Sequence, residues 1–175
     1  IRATLDLAEA QLDEAKQAID QNFKPAPLVD EDVALLEAYN RVLKENVVSK
    51  LDIPPFNRST VDGYAANAED TFDADENKPV TLKITGAVGV GEQPKLVLNK
   101  GEAFEIVTGA PLPEGANAVV MVEDTERENE ILQVFVAVTL NENVMKKGSD
   151  IRVGETVLNT GQVLGASEIG VLAAL

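Results

Sequence analysis

The sequence predicts a mainly β chain with an α-helical N-terminal segment. Three observations carry this. Leu5, Ala8, Leu12, Ala15 and Ile19 repeat at the 3-4-3-4 spacing of a narrow helical seam. From about Val80 onward, apolar residues alternate with polar ones at period two or gather in runs of strand length. Such short strands at this spacing read as a barrel or a set of coiled sheets, because no helix pattern separates them as a βαβ unit would require.

The first helix has Glu9, Asp13, Glu14 and Lys16 off its seam, with Thr4 as the expected N-cap. Two heptads are too few for a free coiled coil, so the seam is expected to dock on its own domain or on a second subunit. The stretch 22–28, with Pro25 and Pro27, breaks this helix. Asp30, Glu31 and Asp32 place acids where a helix N-terminus favours them. A second helix is expected there, with Leu35, Leu36, Tyr39, Val42 and Leu43 as its stripe and the extended Val47 and Val48 after it.

Strands are expected at 80–85, 96–98, 104–107, 118–122 and 132–138, with 127–130 as a charged turn between the last two. Gly86, Gly89 and Gly91 do not follow the dinucleotide-binding order, and no helix pattern follows them, so they read as barrel-turn glycines. Two further strands, 153–158 and 162–164, would be joined through Asn159-Thr160-Gly161. A short helix over 166–174, capped near Ala166 or Ser167, ends the sequence on an apolar run, as expected of a chain that continues.

Composition removes several chemistries. With no Cys there are no disulfides, thiolate nucleophiles or sulfur-ligated metals, and with no His the commonest general base is absent. Catalysis would need carboxylates, hydroxyls, Lys, Arg, backbone amides or a hard cation such as Mg²⁺, Ca²⁺ or Mn²⁺. The formal charge of −15 disfavours nucleic acid and anionic membranes as partners. It also disfavours anionic ligands unless a cation mediates. No apolar run approaches the roughly 18 residues of a membrane span. The first residues carry no export-signal pattern, so a cytoplasmic location is expected.

The stretch 51–64 stands apart. Pro54 and Pro55 fix φ and lack N–H groups, making a stiff strut that suits neither a strand centre nor a helix interior. Ser59 and Thr60 follow, then the Asp62-Gly63 turn. A turn presenting hydroxyls and a carboxylate from such a strut suits a small polar site. It equally suits a surface loop in which Asp62 caps its own turn. Thr108 precedes a Gly- and Pro-pinned loop, where its hydroxyl can serve an oxyanion, a hard cation or the following turn. Asp150 follows the basic Lys146-Lys147-Gly148-Ser149 and reads as a salt-bridged turn acid or a site carboxylate.

The run Asp52-Ile-Pro-Pro-Phe-Asn-Arg-Ser-Thr-Val-Asp-Gly-Tyr-Ala65 closely resembles the signature of the MoeA/gephyrin E-domain family, the molybdopterin molybdotransferases. Ile106-Val-Thr-Gly-Ala-Pro-Leu-Pro-Glu-Gly-Ala-Asn-Ala-Val-Val-Met121 and Asn143-Val-Met-Lys-Lys-Gly-Ser-Asp-Ile151 resemble it too, in the same order. The likeness runs from about Phe23 to Leu175. It implies an elongated α+β domain, 1–47 plus 149–175, into which a β-barrel-like domain of bifurcated, coiled sheets, 48–148, is inserted. It also implies an α/β domain after Leu175 carrying most pterin-binding residues. The fragment alone would then be inactive.

By this resemblance, Asp62, Thr108 and Asp150 belong to the site that inserts molybdate into adenylylated molybdopterin, a Mg²⁺-assisted exchange releasing AMP. Asp62 and Asp150 would be the metal ligands, and Ser59, Thr60, Gly63 and Gly109 second-rank members of the same pocket. A homodimer and an upstream molybdopterin adenylyltransferase are the implied partners. Asn117 stands where the family usually has Asp, and Glu105 where a basic residue is frequent. The rival readings are a gephyrin-like scaffold, a tungsten-handling insertase, and a Mg²⁺- or Ca²⁺-binding domain of other function.

Overall fold

A computed structural model of the chain describes residues 2–24, 29–92, 94 and 97–175, with side chains from Gln11 onward. The chain separates into two compact units, Ile1–Glu37 and Ala38–Leu175. In the first, helix α1 spans Arg2–Asn22. Thr4 therefore lies within its first turn and is not its N-cap. At its end the Asn22 side-chain amide donates to the Ala18 carbonyl one turn back, at 2.8 Å. The proline break expected at 25–28 falls outside the described residues.

The expected second helix does not form. Only a 3₁₀ turn, Leu35–Glu37, is present. Beyond it Asn40 takes a left-handed φ of 63°, and the backbone donors leave the helical path. Asn40 N–H donates to the Leu164 carbonyl and Leu43 N–H to the Gln162 carbonyl, both at 2.8 Å, while Val42 bridges Val163. A distant segment thus claims the groups that a helix would have used internally.

Among the described residues the second unit holds ten strands: β1 Val47–Val48, β2 Arg58–Ser59, β3 Gly63–Ala66, β4 Val80–Val88, β5 Glu102–Ile106, β6 Ala118–Met121, β7 Thr125–Glu128, β8 Ile131–Val134, β9 Val144–Met145 and β10 Thr156–Leu158. Helix α2, Ala166–Ala174, follows, with Gly165 at its N-cap and the Glu168 carboxylate accepting the Gly165 N–H at 2.9 Å. Six strands make one sheet in the order β6-β3-β5-β4-β8-β7. Its pairs are antiparallel except β4–β5, which is parallel. The chain is thus mostly sheet with few helices, as the apolar periodicity predicts.

Several boundaries differ from the sequence expectation. Arg127 and Glu128 belong to β7 and not to a turn, and the hairpin closes at Asn129, whose φ is 58°. A polar edge strand gives no apolar alternation, which is why β7 goes unseen. Gly86 lies inside β4 at a register shift against β5, while Gly91 makes a turn with φ of 80°. Val97 and Leu98 are not in a strand, and Leu96 lies outside the described residues. In 162–164 only the Val42–Val163 bridge forms.

Both faces of β3 are buried. Alternate residues point to opposite faces, so Tyr64 and Ala66 join Leu82, Leu132 and Val134 in one cluster. Ala65 joins Phe104, Ile106 and Val119 in the other. The outer edge of β6 is covered by 141–143, where the Asn143 amide donates to the Val119 carbonyl at 2.9 Å. The other outer strand, β7, carries exposed Glu126 and Glu128, charges that discourage edge pairing.

Candidate functional site

Backbone hydrogen bonds gather three segments around β2. On one side β2 pairs with β9 as Arg58↔Met145 and Ser59↔Val144. On the other, Ser59 N–H donates to the Ala110 carbonyl at 3.0 Å, Gly109 N–H to the Ser59 carbonyl at 2.8 Å, and Leu112 N–H to the Asn57 carbonyl at 2.8 Å. The proline strut, the 108–112 loop and the 143–150 loop therefore meet. Gly109 has φ of +85°, a region that L side chains rarely adopt, so this loop needs glycine to turn back toward β2.

Asp62 and Thr108 are brought together. One Asp62 oxygen, Oδ1, accepts the Thr108 N–H at 2.7 Å and the Thr108 hydroxyl at 2.9 Å. The backbone N–H first, and the hydroxyl after it, hold the Asp62 carboxyl below its ordinary value of 3.8, against a smaller opposing effect of burial. Asp62 is thus ionised near neutrality and accepts only. The Thr108 hydroxyl proton is committed to it, leaving the hydroxyl oxygen to accept or to ligate. Gly63 follows at the start of β3, where a Cβ would collide with the Val120 carbonyl oxygen.

The other candidates lie around this pair. Ser59 is buried and turns inward, donating to the Val61 carbonyl at 2.6 Å. Thr60 is exposed, and its N–H donates to the Asn143 carbonyl at 3.0 Å. Asp150 sits where the strut begins, its N–H donating to the Ile53 carbonyl at 2.9 Å and its carboxylate accepting from the Ser149 hydroxyl at 3.3 Å. The structure makes no direct contact between Asp150 and the Asp62–Thr108 pair. Among the described residues no group of three or more acidic side chains is arranged to hold a metal.

Two supporting residues escape sequence reasoning. The Asn57 amide oxygen accepts the Lys147 N–H at 2.9 Å. Asp52 accepts the Val153 N–H at 3.0 Å and faces the Lys147 ammonium at 3.4 Å. The Val153 N–H, and behind it Lys147, hold Asp52 below its ordinary value despite partial burial. Both flank the prolines, and short acceptors beside a rigid strut are the one local signal that pointed to them. They fasten the 146–153 segment to the strut.

The two family departures have local explanations. Asn117 accepts the Ala68 N–H at 2.7 Å and donates its amide to Asn67 at 3.2 Å, a donation that Asp cannot make when ionised. Glu105 pairs with Arg127 at 2.7 Å, so its charge is matched on the sheet.

Residues 10–175 match the family described as MoeA N-terminal region (domain I and II). The chain belongs to this family. It is 35% identical over 150 residues to a molybdopterin molybdenumtransferase of Synechococcus elongatus, covering 85% of this chain and 37% of that protein. It is 37% identical over 143 residues to molybdopterin molybdenumtransferase 2 of Mycobacterium tuberculosis, covering 82% of this chain and 35% of that protein. The crystal structure of a molybdopterin biosynthesis moeA protein from Pyrococcus horikoshii superposes with a TM-score of 0.81 at 44% identity, over 93% of this chain and 41% of that one. The chain thus spans well under half the length of these relatives.

Proposed function

We propose that this chain is the N-terminal region of a molybdopterin molybdotransferase, acting in molybdenum cofactor biosynthesis. The complete protein inserts molybdate into adenylylated molybdopterin and releases AMP. The observation that carries this reading is the Asp62–Thr108 pair, held by 2.7 and 2.9 Å hydrogen bonds where three family-motif segments converge. The names of the relatives support the transferase class.

The donor set fits Mg²⁺. Asp62 is an ionised carboxylate, and Thr108 is an exposed hydroxyl whose proton goes to Asp62, both hard oxygen donors. Asp62 would hold the ion with Thr108, and Asp150 is assigned to the same cleft by its motif. Bound there, Mg²⁺ would neutralise phosphate charge as the adenylyl group departs. Asp62 fixes the Thr108 hydroxyl, Gly109 and Gly63 let the backbone approach closely, and Asp52 and Asn57 hold the Asp150 loop in place.

The pterin-binding surface belongs to a following α/β domain, in a cytoplasmic homodimer fed by a molybdopterin adenylyltransferase. The exposure of Leu12 and Ile19 on the α1 seam, at 56% and 60%, supports dimerisation. Antiparallel pairing of Val47 with Leu158 and of Val42 with Val163 supports grouping the end of 1–47 with 149–175, apart from 48–148.

The test is metal insertion by the full-length protein. Asp62→Asn, Thr108→Ala and Asp150→Asn are expected to lower the rate at least about tenfold, as loss of ligands or their supports does. Wild-type rates in Asp62→Asn would remove its assigned role. Molybdate against tungstate in the same assay identifies the oxyanion.

A further inference from the structure

Arg58 stands out among the cations of this chain. It is partly buried at the centre of the three converging segments, paired with β9 on one side and bridged to Pro111 on the other. Its Nε and Nη2 both donate to the Met145 sulfur, at 3.3 and 3.1 Å. Among the described residues its side chain contacts no carboxylate, although the chain carries 30 acidic residues against 15 basic ones.

A thioether is a neutral, weak acceptor. The Nε–Nη2 edge of a guanidinium is the fork that takes two oxygens of a carboxylate or phosphate side by side. A partly desolvated cation is ordinarily matched by an anion. Here the matching edge is filled by sulfur, which an oxyanion would displace with gain. The next residues, Lys146 and Lys147, add positive charge, though Lys147 is already matched by Asp52 at 3.4 Å. With a net charge of −15, a free oxyanion is repelled from most of this surface, so a local cation is needed to hold one.

We infer that Arg58 binds a tetrahedral oxyanion through the guanidinium edge now resting on Met145, giving this chain its own foothold on the anionic substrate. The proposal rests on the transferase reading for the identity of that substrate alone. The shared chemistry is a tetrahedral oxyanion, either free molybdate or a phosphoryl group of the nucleotide-bearing substrate.

The test is titration of the 175-residue chain at low salt with molybdate and, separately, with inorganic phosphate, following the Arg58 Nε–H and the Ser59 and Leu112 amides by NMR. Saturable shifts at these three groups are expected. Arg58→Gln should weaken the response at least tenfold with unchanged signal dispersion elsewhere, and Met145→Leu, which removes the sulfur and keeps an apolar side chain, should keep it. A response to molybdate alone identifies the free oxyanion as ligand; a response to phosphate alone identifies the ester. Absence of both, or shifts that persist in Arg58→Gln, overturns the proposal. Oxyanion binding without metal insertion by the full-length wild type would sink the transferase reading and leave the Arg58 site standing. Insertion with no Arg58 response does the reverse.

Discussion

The Asp62 carboxylate shows how two hydrogen bonds set a side chain's chemistry. Its carboxyl is lowered in the folded chain, so the stability it contributes is full above its ordinary 3.8 and is lost as pH falls through the folded value. Asp62→Asn should therefore lower stability at neutral pH and flatten the acid limb, the two proteins converging below that pH, as urea unfolding at stepped pH would reveal. In Thr108→Val the backbone N–H remains, so the Asp62 carboxyl should rise part of the way back, readable from its ¹³C titration. An unchanged titration would mean that the hydroxyl does not hold the carboxylate. Ser59 illustrates the opposite outcome. Its place beside the turn marks it as a site hydroxyl, yet the chain uses it internally on Val61.

Strand β3 connects the turn to the core, and it tolerates little change. Gly63 leaves no room for a Cβ beside the Val120 carbonyl, and Ala65 and Ala66 are fully buried on opposite faces. Gly63→Ala should cost about 1–3 kcal/mol through backbone shifts in β3 and β6, seen as a lower urea midpoint. Because Gly63 adjoins Asp62, the same variant should also disturb the Asp62–Thr108 bonds. Elements differ in how plainly the sequence announces them. Strands β4, β5, β6 and β8 carry apolar patterns that report a buried face. Strand β7 has a charged sequence, and its extended form comes from pairing with β8. Residues 38–43 carry a helical stripe, but the Asn40 and Leu43 N–H groups bond to Leu164 and Gln162 instead.

Over the whole chain, charge and connectivity dominate. Fifteen excess negative charges repel one another in the compact state. Raising ionic strength from about 0.01 to 0.15 M shortens the screening length from about 30 to 8 Å. The thermal midpoint should therefore rise with salt, measured by circular dichroism; a flat response would mean that paired charges already cancel the field.

Apolar periodicity, the rigidity of prolines and the missing Cys and His are properties of neighbouring residues or of composition. They were enough for the mostly β architecture and the first helix, while the family likeness rests on the three motif runs 52–65, 106–121 and 143–151. Pairings across long stretches of chain are another matter. Asp62 meets Thr108 across 46 positions and Arg58 meets Met145 across 87. Such contacts leave no local trace, because a side chain's partners are set by which strands the burial of apolar faces brings side by side. That is why Thr108's role as donor to Asp62, Ser59's inward turn and the sulfur resting on Arg58 emerge with the folded sheet.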